Sequence, residues 1–168
     1  MPQSIVVMGV SGAGKSSVGQ ALASQLGASF IDGDTLHPEA NVRKMAAGVP
    51  LTDEDRWPWL HLVGTQLSAS TENATIVACS ALKRSYRDAI RAAAPDTAFI
   101  LLQADRPALQ DRLTQRPGHF MPASLLTSQL ETLEELHNDE SGLMVESTGG
   151  IDTTVERIRK LLKQAAEG

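Results

Sequence analysis

The sequence predicts an α/β domain in which a parallel sheet is covered by helices on both faces, and three observations predict it. Short apolar runs alternate with helical patterns along the whole chain. The connecting segments are long enough for crossover helices. The first apolar run leads straight into a glycine-rich loop that opens a helix. With 168 residues, 42% of them hydrophobic and 21% charged, the chain is expected to form a single domain over residues 1–168 with a core of its own.

The first strand is expected at residues 5–8, where Ile5, Val6, Val7 and Met8 form a continuous apolar run. The next residues, Gly9, Val10, Ser11, Gly12, Ala13, Gly14, Lys15 and Ser16, complete a G-x-x-x-x-G-K-S phosphate-binding loop, and Ser17 continues into a helix whose apolar stripe is Val18, Ala21, Leu22 and Leu26. Strand before and helix after are the context this motif requires. A polyphosphate needs several backbone N–H groups aimed at one point, which a glycine-rich turn at a helix N-terminus supplies. Lys15 adds a point charge on the β- and γ-phosphates, and the Ser16 hydroxyl is a ligand for Mg²⁺. A polyphosphate with Mg²⁺ is therefore the expected ligand of the loop.

A second strand at 29–31 runs into Asp32-Gly33-Asp34. In open α/β sheets ligands bind beyond the carboxyl ends of the strands, so both acids are expected beside the γ-phosphate. Asp32 is suited to ordering Mg²⁺ through water. Asp34 is suited to holding an attacking hydroxyl in line and taking its proton. The competing expectation is local: Asp34 caps the following helix and Asp32 sits in a turn beside Gly33. His37, one helical turn from Asp34, can contact an acceptor hydroxyl or serve only to pack the helix start.

Residues 36–70 are too long for one crossover. Gly48 and Pro50 separate two helical stretches there, and Thr52 with Asp55 resembles a capping box; the insertion is the expected acceptor-binding region. Trp57, Trp59 and Met45 within it are expected to pack in the core. A third strand follows at 75–79 and a fourth at 98–102. Beyond the fourth, a helix at 106–115, a break at Pro117-Gly118 and a second helix over 123–137 suggest a helical lid at 112–122, with Arg112, Arg116 and His119 flanking the break. The last strand is expected at 143–145, and Val155, Ile158, Leu162 and Ala165 give a C-terminal helix its apolar stripe.

The bulk properties remove other classes. A net charge of −5 argues against a nucleic-acid coat. The single cysteine, Cys79, excludes an intramolecular disulfide and lies in an apolar run, as a buried structural thiol would. No Lys or Arg precedes the first apolar stretch, which ends at the phosphate loop. Neither a signal peptide nor a membrane span is expected, and a cytoplasmic setting fits. A nucleotide-dependent switch would carry Asn-Lys-x-Asp; the chain has none, and its Asp-x-x-Gly, Asp139 to Gly142, comes too late in the order.

Several longer stretches carry more than the loop does. They are Gly33-Asp34-x-Leu36-His37-Pro38; Asn41-x-x-Lys44-Met45-x-x-Gly48-x-Pro50-Leu51-x-Asp53-x-Asp55-Arg56-x-Pro58-Trp59-Leu60; Cys79-Ser80-Ala81-Leu82-Lys83-Arg84-x-Tyr86-Arg87-Asp88; and His119-Phe120-Met121-Pro122 with Leu125-Leu126-x-Ser128-Gln129. Together they resemble the gluconate kinases of the thermoresistant type. The likeness runs from residue 9 to about residue 134, with Leu130 in place of the expected Phe and no proline-containing acidic stretch at 135–138. The resemblance implies a P-loop NTPase fold similar to the nucleoside monophosphate kinases, ATP-dependent phosphorylation of D-gluconate at its terminal hydroxyl, and a homodimer.

The residues themselves point the same way. A sugar acid has a reacting hydroxyl at one end and a carboxylate at the other, so its site needs cations remote from Lys15. Arg56, Lys83, Arg84 and Arg87 are the candidates, the alternative for the last three being a solvated helix face paired with Asp88. Ser80, at the end of the third strand, is a candidate for an acceptor hydroxyl or for a helix cap. Lys15, Asp34 and Arg116 are the expected catalytic residues, Arg112 joins the loop in ATP binding, and His119 joins the acceptor contacts.

Overall fold

The computed structural model describes residues 1–69, 72–115 and 123–168. Five parallel strands, β1 (Ser4–Met8), β2 (Ser29–Asp32), β3 (Thr75–Ala78), β4 (Ala98–Gln103) and β5 (Gly142–Glu146), form one sheet in the order β2-β3-β1-β4-β5. The expected strands all form, each within a residue or so of its expected bounds. Helices fill every crossover: α1 (Lys15–Leu26), α2 (Glu39–Ala46), α3 (Asp53–Ser68), α4 (Arg84–Ala93), α5 (Arg106–Thr114), α6 (Ala123–Thr132) and α7 (Ile151–Glu167).

Alternation along the strands divides the core. Ile5 and Val7 of β1 point to one face, where α1, α5, α6 and α7 supply Val18, Leu22, Leu109, Leu126, Val155 and Ile158. Val6 and Met8 point to the other, against Trp59, Leu60 and Val63 of α3 and Tyr86 and Ile90 of α4. The central strands are buried on both sides, which is why their sequences read as continuous apolar runs. In α7, Val155, Ile158 and Leu162 are buried as expected, while Ala165 is exposed.

The long insertion holds α2 and α3, divided near Gly48 and Pro50. Thr52 caps α3, accepting from the Asp55 N–H while the Asp55 carboxylate accepts from the Thr52 N–H, a complete capping box. Two core expectations fail here. Met45 is 45% exposed and Trp57 is 38% exposed, its ring edge-on to Tyr86. Both lie on the outer side of an insertion that packs through Trp59, so apolar character alone misassigns them. A third difference is the end of α6 at Thr132 rather than near 137. Beyond it the chain is held by other partners: the Glu134 N–H donates to the Leu82 carbonyl, and the Glu135 carbonyl accepts from Arg87.

Candidate active site

The carboxyl ends of β1, β2 and β3 converge on the phosphate loop. Gly14 adopts φ 96° as the residue preceding α1, a left-handed conformation that glycine tolerates and β-carbon residues resist. The Gly9 N–H donates to the Ser80 carbonyl at 3.4 Å, joining the loop to the end of β3. Lys15 Nζ donates to the carbonyls of Gly9 and Val10 at 2.9 and 3.1 Å. On the other side the Ser11 N–H donates to Gln129 Oε1 of α6 at 2.7 Å.

Ser16 Oγ donates to Asp32 Oδ2 at 3.1 Å, so the hydroxyl expected to ligate a metal is held by the acid expected to order it. The other Asp32 oxygen accepts from the Asp34 N–H at 3.1 Å and caps a short 3₁₀ turn, Gly33–Leu36. A β-carbon at Gly33 would lie 2.5 Å from the Ala78 carbonyl, so only glycine lets this turn rest on the end of β3. Trp59 Nε1 donates to the Gly33 carbonyl at 2.8 Å and pins the turn from the other side. α2 begins after Pro38 with no side-chain cap, so Asp34 is exposed and is not used as the cap that local reasoning allowed.

His37 stacks on Trp59, with ring centroids 4.1 Å apart. Asn41 Nδ2 donates to the Asp55 carbonyl at 2.9 Å, which fixes the amide's orientation, and also lies 3.2 Å from His37 Nδ1. Nδ1 therefore accepts and the proton resides on Nε2. Burial lowers the His37 pKa; Asp34 opposes this and Arg56 reinforces it. Near neutral pH the ring is thus a neutral donor set between the fields of Asp34 and Arg56.

Beyond it, four side chains meet. Arg56 Nη1 donates to the Leu51 carbonyl at 2.8 Å and to Tyr86 Oη at 3.3 Å. Tyr86 Oη donates to Asp53 Oδ1 at 2.6 Å. Lys83 Nζ lies 3.6 Å from Asp53 Oδ2, and the two cations sit 5.5 and 5.4 Å from the Tyr86 ring centre. Burial, with the bond to Asp53, pushes the Tyr86 phenol up to about 12, so it remains a donor.

Arg84 and Arg87 stand apart from this group. The Arg87 side chain is fully buried and forks onto Glu140, Nε to Oε2 at 2.7 Å and Nη2 to Oε1 at 3.0 Å. Its Nη1 donates to the Ala81 and Leu82 carbonyls. Ala81 has φ 44°, the one non-glycine residue with positive φ among those described, so Arg87 restrains the strained turn between Ser80 and Lys83. Arg84 binds Asp88 and forks onto Asp139. The carboxylates these two arginines meet belong to the chain itself. Ser80 does not cap α4, whose preceding residue is Lys83 with no side-chain cap bond. Cys79 is buried as expected, and burial pushes its thiol up to about 12, against reactivity.

Arg112 lies along the back of the phosphate loop. Its Nη1 donates to the carbonyls of Gly12 and Ala13 at 3.1 and 3.3 Å and to Ser147 Oγ at 3.0 Å, and Nη2 donates to the Ser147 carbonyl. With Ser17, Ser147 and Thr154 it borders a cleft of about 280 Å³ that opens onto the loop. Arg116 and His119 lie outside the described residues, as does the break at Pro117-Gly118. Asp53, Tyr86, Gln129 and Ser147 received no role from sequence reasoning, although Asp53, Tyr86 and Gln129 stand inside the stretches quoted above. The missing signal was spatial: Asp53 and Tyr86 lie beside Arg56, Gln129 accepts from the loop at Ser11, and Ser147 meets Arg112.

A family model described as an AAA domain matches residues 5–136. The thermoresistant gluconokinase of Escherichia coli is 43% identical over 162 residues, spanning 92% of this chain and 93% of its own. A gluconokinase from Sinorhizobium meliloti superimposes with a TM-score of 0.89 at 49% identity, covering 99% of this chain and 94% of that one. The shikimate kinase of Aquifex aeolicus superimposes with a TM-score of 0.66 at 17% identity, a likeness of fold alone.

Proposed function

The chain belongs to the gluconokinase family of P-loop kinases, and from that premise we propose how its residues carry the phosphoryl group of ATP to the terminal hydroxyl of D-gluconate, giving 6-phospho-D-gluconate. The observation that carries the reading is the order of side chains leading away from the loop: Ser16 on Asp32, Asp32 on the Asp34 N–H, then His37 between Asp34 and Arg56, then Arg56 and Lys83 at Tyr86. A linear sugar acid has the same two-ended chemistry.

Residues 9–16 cradle the phosphates and Lys15 neutralises charge on the transferring group. Arg112 and Ser17 border the cleft that receives the rest of the nucleotide. Asp34 aligns the hydroxyl and takes its proton late in transfer. His37 donates from Nε2 to the acceptor, as Ser80 can from its hydroxyl, and Arg56 and Lys83 hold the carboxylate. Arg87 acts from behind, by fixing the turn that presents Ser80 and Lys83, while Arg84 is held by Asp88 and Asp139 away from the acceptor. Arg116 and His119, in segment 112–122, are assigned to the phosphates and the acceptor on sequence grounds.

The oxygen donors of Ser16 and Asp32 suit Mg²⁺, a hard cation that keeps several waters. Ser16 and Asp32 would hold the ion beside the phosphates of the nucleotide. When bound, Mg²⁺ supplies charge neutralisation on those phosphates. Among the described residues no helix is long and apolar enough to cross a membrane. A cytoplasmic homodimer belongs to the same proposal, and light scattering of the purified protein tests its assembly.

ADP release with ATP and a panel of acceptors tests the reaction. Gluconate is expected to exceed shikimate and nucleoside monophosphates by orders of magnitude in kcat/KM. Equal or greater turnover of either rival overturns the assignment.

A further inference from the structure

The cations assigned to the gluconate carboxylate already face a carboxylate of the protein. Asp53, the first residue of α3, lies 3.6 Å from Lys83 Nζ and 3.8 Å from Arg56 Nη1. Both separations exceed the 2.7–2.9 Å typical of charge-assisted hydrogen bonds. The one short bond to Asp53 among the described residues is the neutral one, from Tyr86 Oη at 2.6 Å. Among the described residues Arg56 spends only Nη1 on hydrogen bonds, to Leu51 and Tyr86. Asp53 therefore lowers the charge of the pair while leaving most of their donors for a ligand.

The local count decides what that ligand is. Arg56 and Lys83 contribute two positive charges, Asp53 one negative, and Tyr86 and His37 none. Neighbouring charges are engaged elsewhere, Asp55 with Lys44 and Arg84 with Asp88 and Asp139. The Asp53 carboxyl is held below the ordinary carboxylate range, first by the Tyr86 hydrogen bond and then, against some desolvation, by Lys83 and Arg56. The group therefore carries a net charge of about +1, which one carboxylate neutralises and a phosphate monoester, at ≈ −1.5 to −2, overshoots.

We propose that Asp53 is a specificity residue that matches the far end of the acceptor site to a carboxylate and rejects a phosphate there. The proposal rests on the assignment of Arg56 and Lys83 to the carboxylate of gluconate. Its consequence is that a hexose derivative already phosphorylated at that end is a poor competitor, so a kinase surrounded by sugar phosphates keeps its site for sugar acids. Asp53→Asn leaves shape and the Tyr86 contact largely in place and removes the negative charge. A dianion then gains about one charge's worth of attraction more than a monoanion does.

The test uses D-glucitol 1-phosphate, which carries a phosphate at the end where gluconate has its carboxylate and keeps the free hydroxyl at C6, as a competitor of gluconate. In Asp53→Asn the ratio of its inhibition constant to the gluconate KM is expected to fall at least tenfold. Tyr86→Phe, which removes the hydrogen bond and keeps the charge, is expected to leave that ratio within threefold of wild type. An unchanged ratio in Asp53→Asn, or an equal fall in Tyr86→Phe, overturns the proposal. Arg56→Gln run alongside separates the two levels: an unchanged gluconate KM there overturns the carboxylate assignment itself, whereas a raised KM with an unchanged Asp53→Asn ratio overturns the role of Asp53 alone.

Discussion

Two cationic groups flank α4, built from the same residue types and put to opposite uses. Behind the helix, Arg87 is fully buried and forks onto a fully buried Glu140, with Arg91 on the same carboxylate at 2.7 Å. In front, Arg56 and Lys83 are about a third exposed and share Asp53 at distances too long for tight bonding. In the first group Arg87 is closed: its side-chain hydrogen bonds go to Glu140 and to the carbonyls of Ala81, Leu82 and Glu135. The second is open toward the site. What separates an arginine that holds the fold from one available to a ligand is the geometry of its partner, rather than its place in a motif.

The largest effect expected from breaking this contrast is on the closed group. Arg87→Met leaves Glu140 buried without its main partner, and loss of one member of a buried pair costs about 3–5 kcal/mol. Urea unfolding should register that loss, and gluconate turnover should fall with it as the turn at Ala81 relaxes. A loss below about 1 kcal/mol would mean that the pair does not restrain the fold.

Next comes the open group. Arg56→Gln should raise the gluconate KM about 10- to 100-fold, or roughly 1.4–2.7 kcal/mol, with the KM for ATP and the unfolding free energy nearly unchanged. Steady-state kinetics with each substrate varied in turn separates the two constants. Equal changes in both would remove Arg56 from the acceptor site.

Acid sharpens the comparison further. Burial alone would raise the Glu140 pKa, but hydrogen bonds from Arg87, the His137 N–H and Arg91 outweigh it and bring the group from the ordinary 4.5 down to about 2. A depressed carboxylate stabilises the fold fully above its unfolded pKa and loses that contribution as pH falls toward the folded value. The unfolding free energy should therefore decline between pH 4.5 and 2, and Glu140→Gln should flatten that decline while lowering stability at pH 7. Urea titrations at several pH values give both slopes; identical slopes would contradict the assignment.

The smallest effect is expected at Arg84. Its partners Asp88 and Asp139 are more than half exposed, and exposed pairs are worth about 0–1 kcal/mol. Arg84→Gln should shift stability by less than 1 kcal/mol and leave the gluconate KM within threefold of wild type. A large rise in that KM would return Arg84 to the carboxylate clamp.

The difference between the groups also marks how far the sequence was readable. The sheet, the phosphate loop and the Asp32-Gly33-Asp34 turn are local patterns: alternation, glycine spacing and strand ends lie within a few residues of one another. The capping box at Thr52 is legible for the same reason. The division among Arg56, Arg84 and Arg87 is not, because Glu140 lies 53 residues beyond Arg87 and nothing near Arg87 announces it. Trp57 and Met45 were misassigned to the core because an outward face on an insertion has no periodic signature. Asp53 was passed over as one acid in the acidic first turn of α3, and only its nearness to Tyr86 and Lys83 sets it apart.

The central claim, that the open group reads the acceptor's carboxylate, is tested most directly by calorimetric titration of gluconate and of its neutral analogue D-glucitol into wild-type protein and Arg56→Gln. Wild type should bind gluconate at least tenfold more tightly than glucitol, and Arg56→Gln should lose most of that preference by weakening for gluconate alone, a coupling between one side chain and one functional group. A preference for gluconate that survives intact in Arg56→Gln would contradict the account.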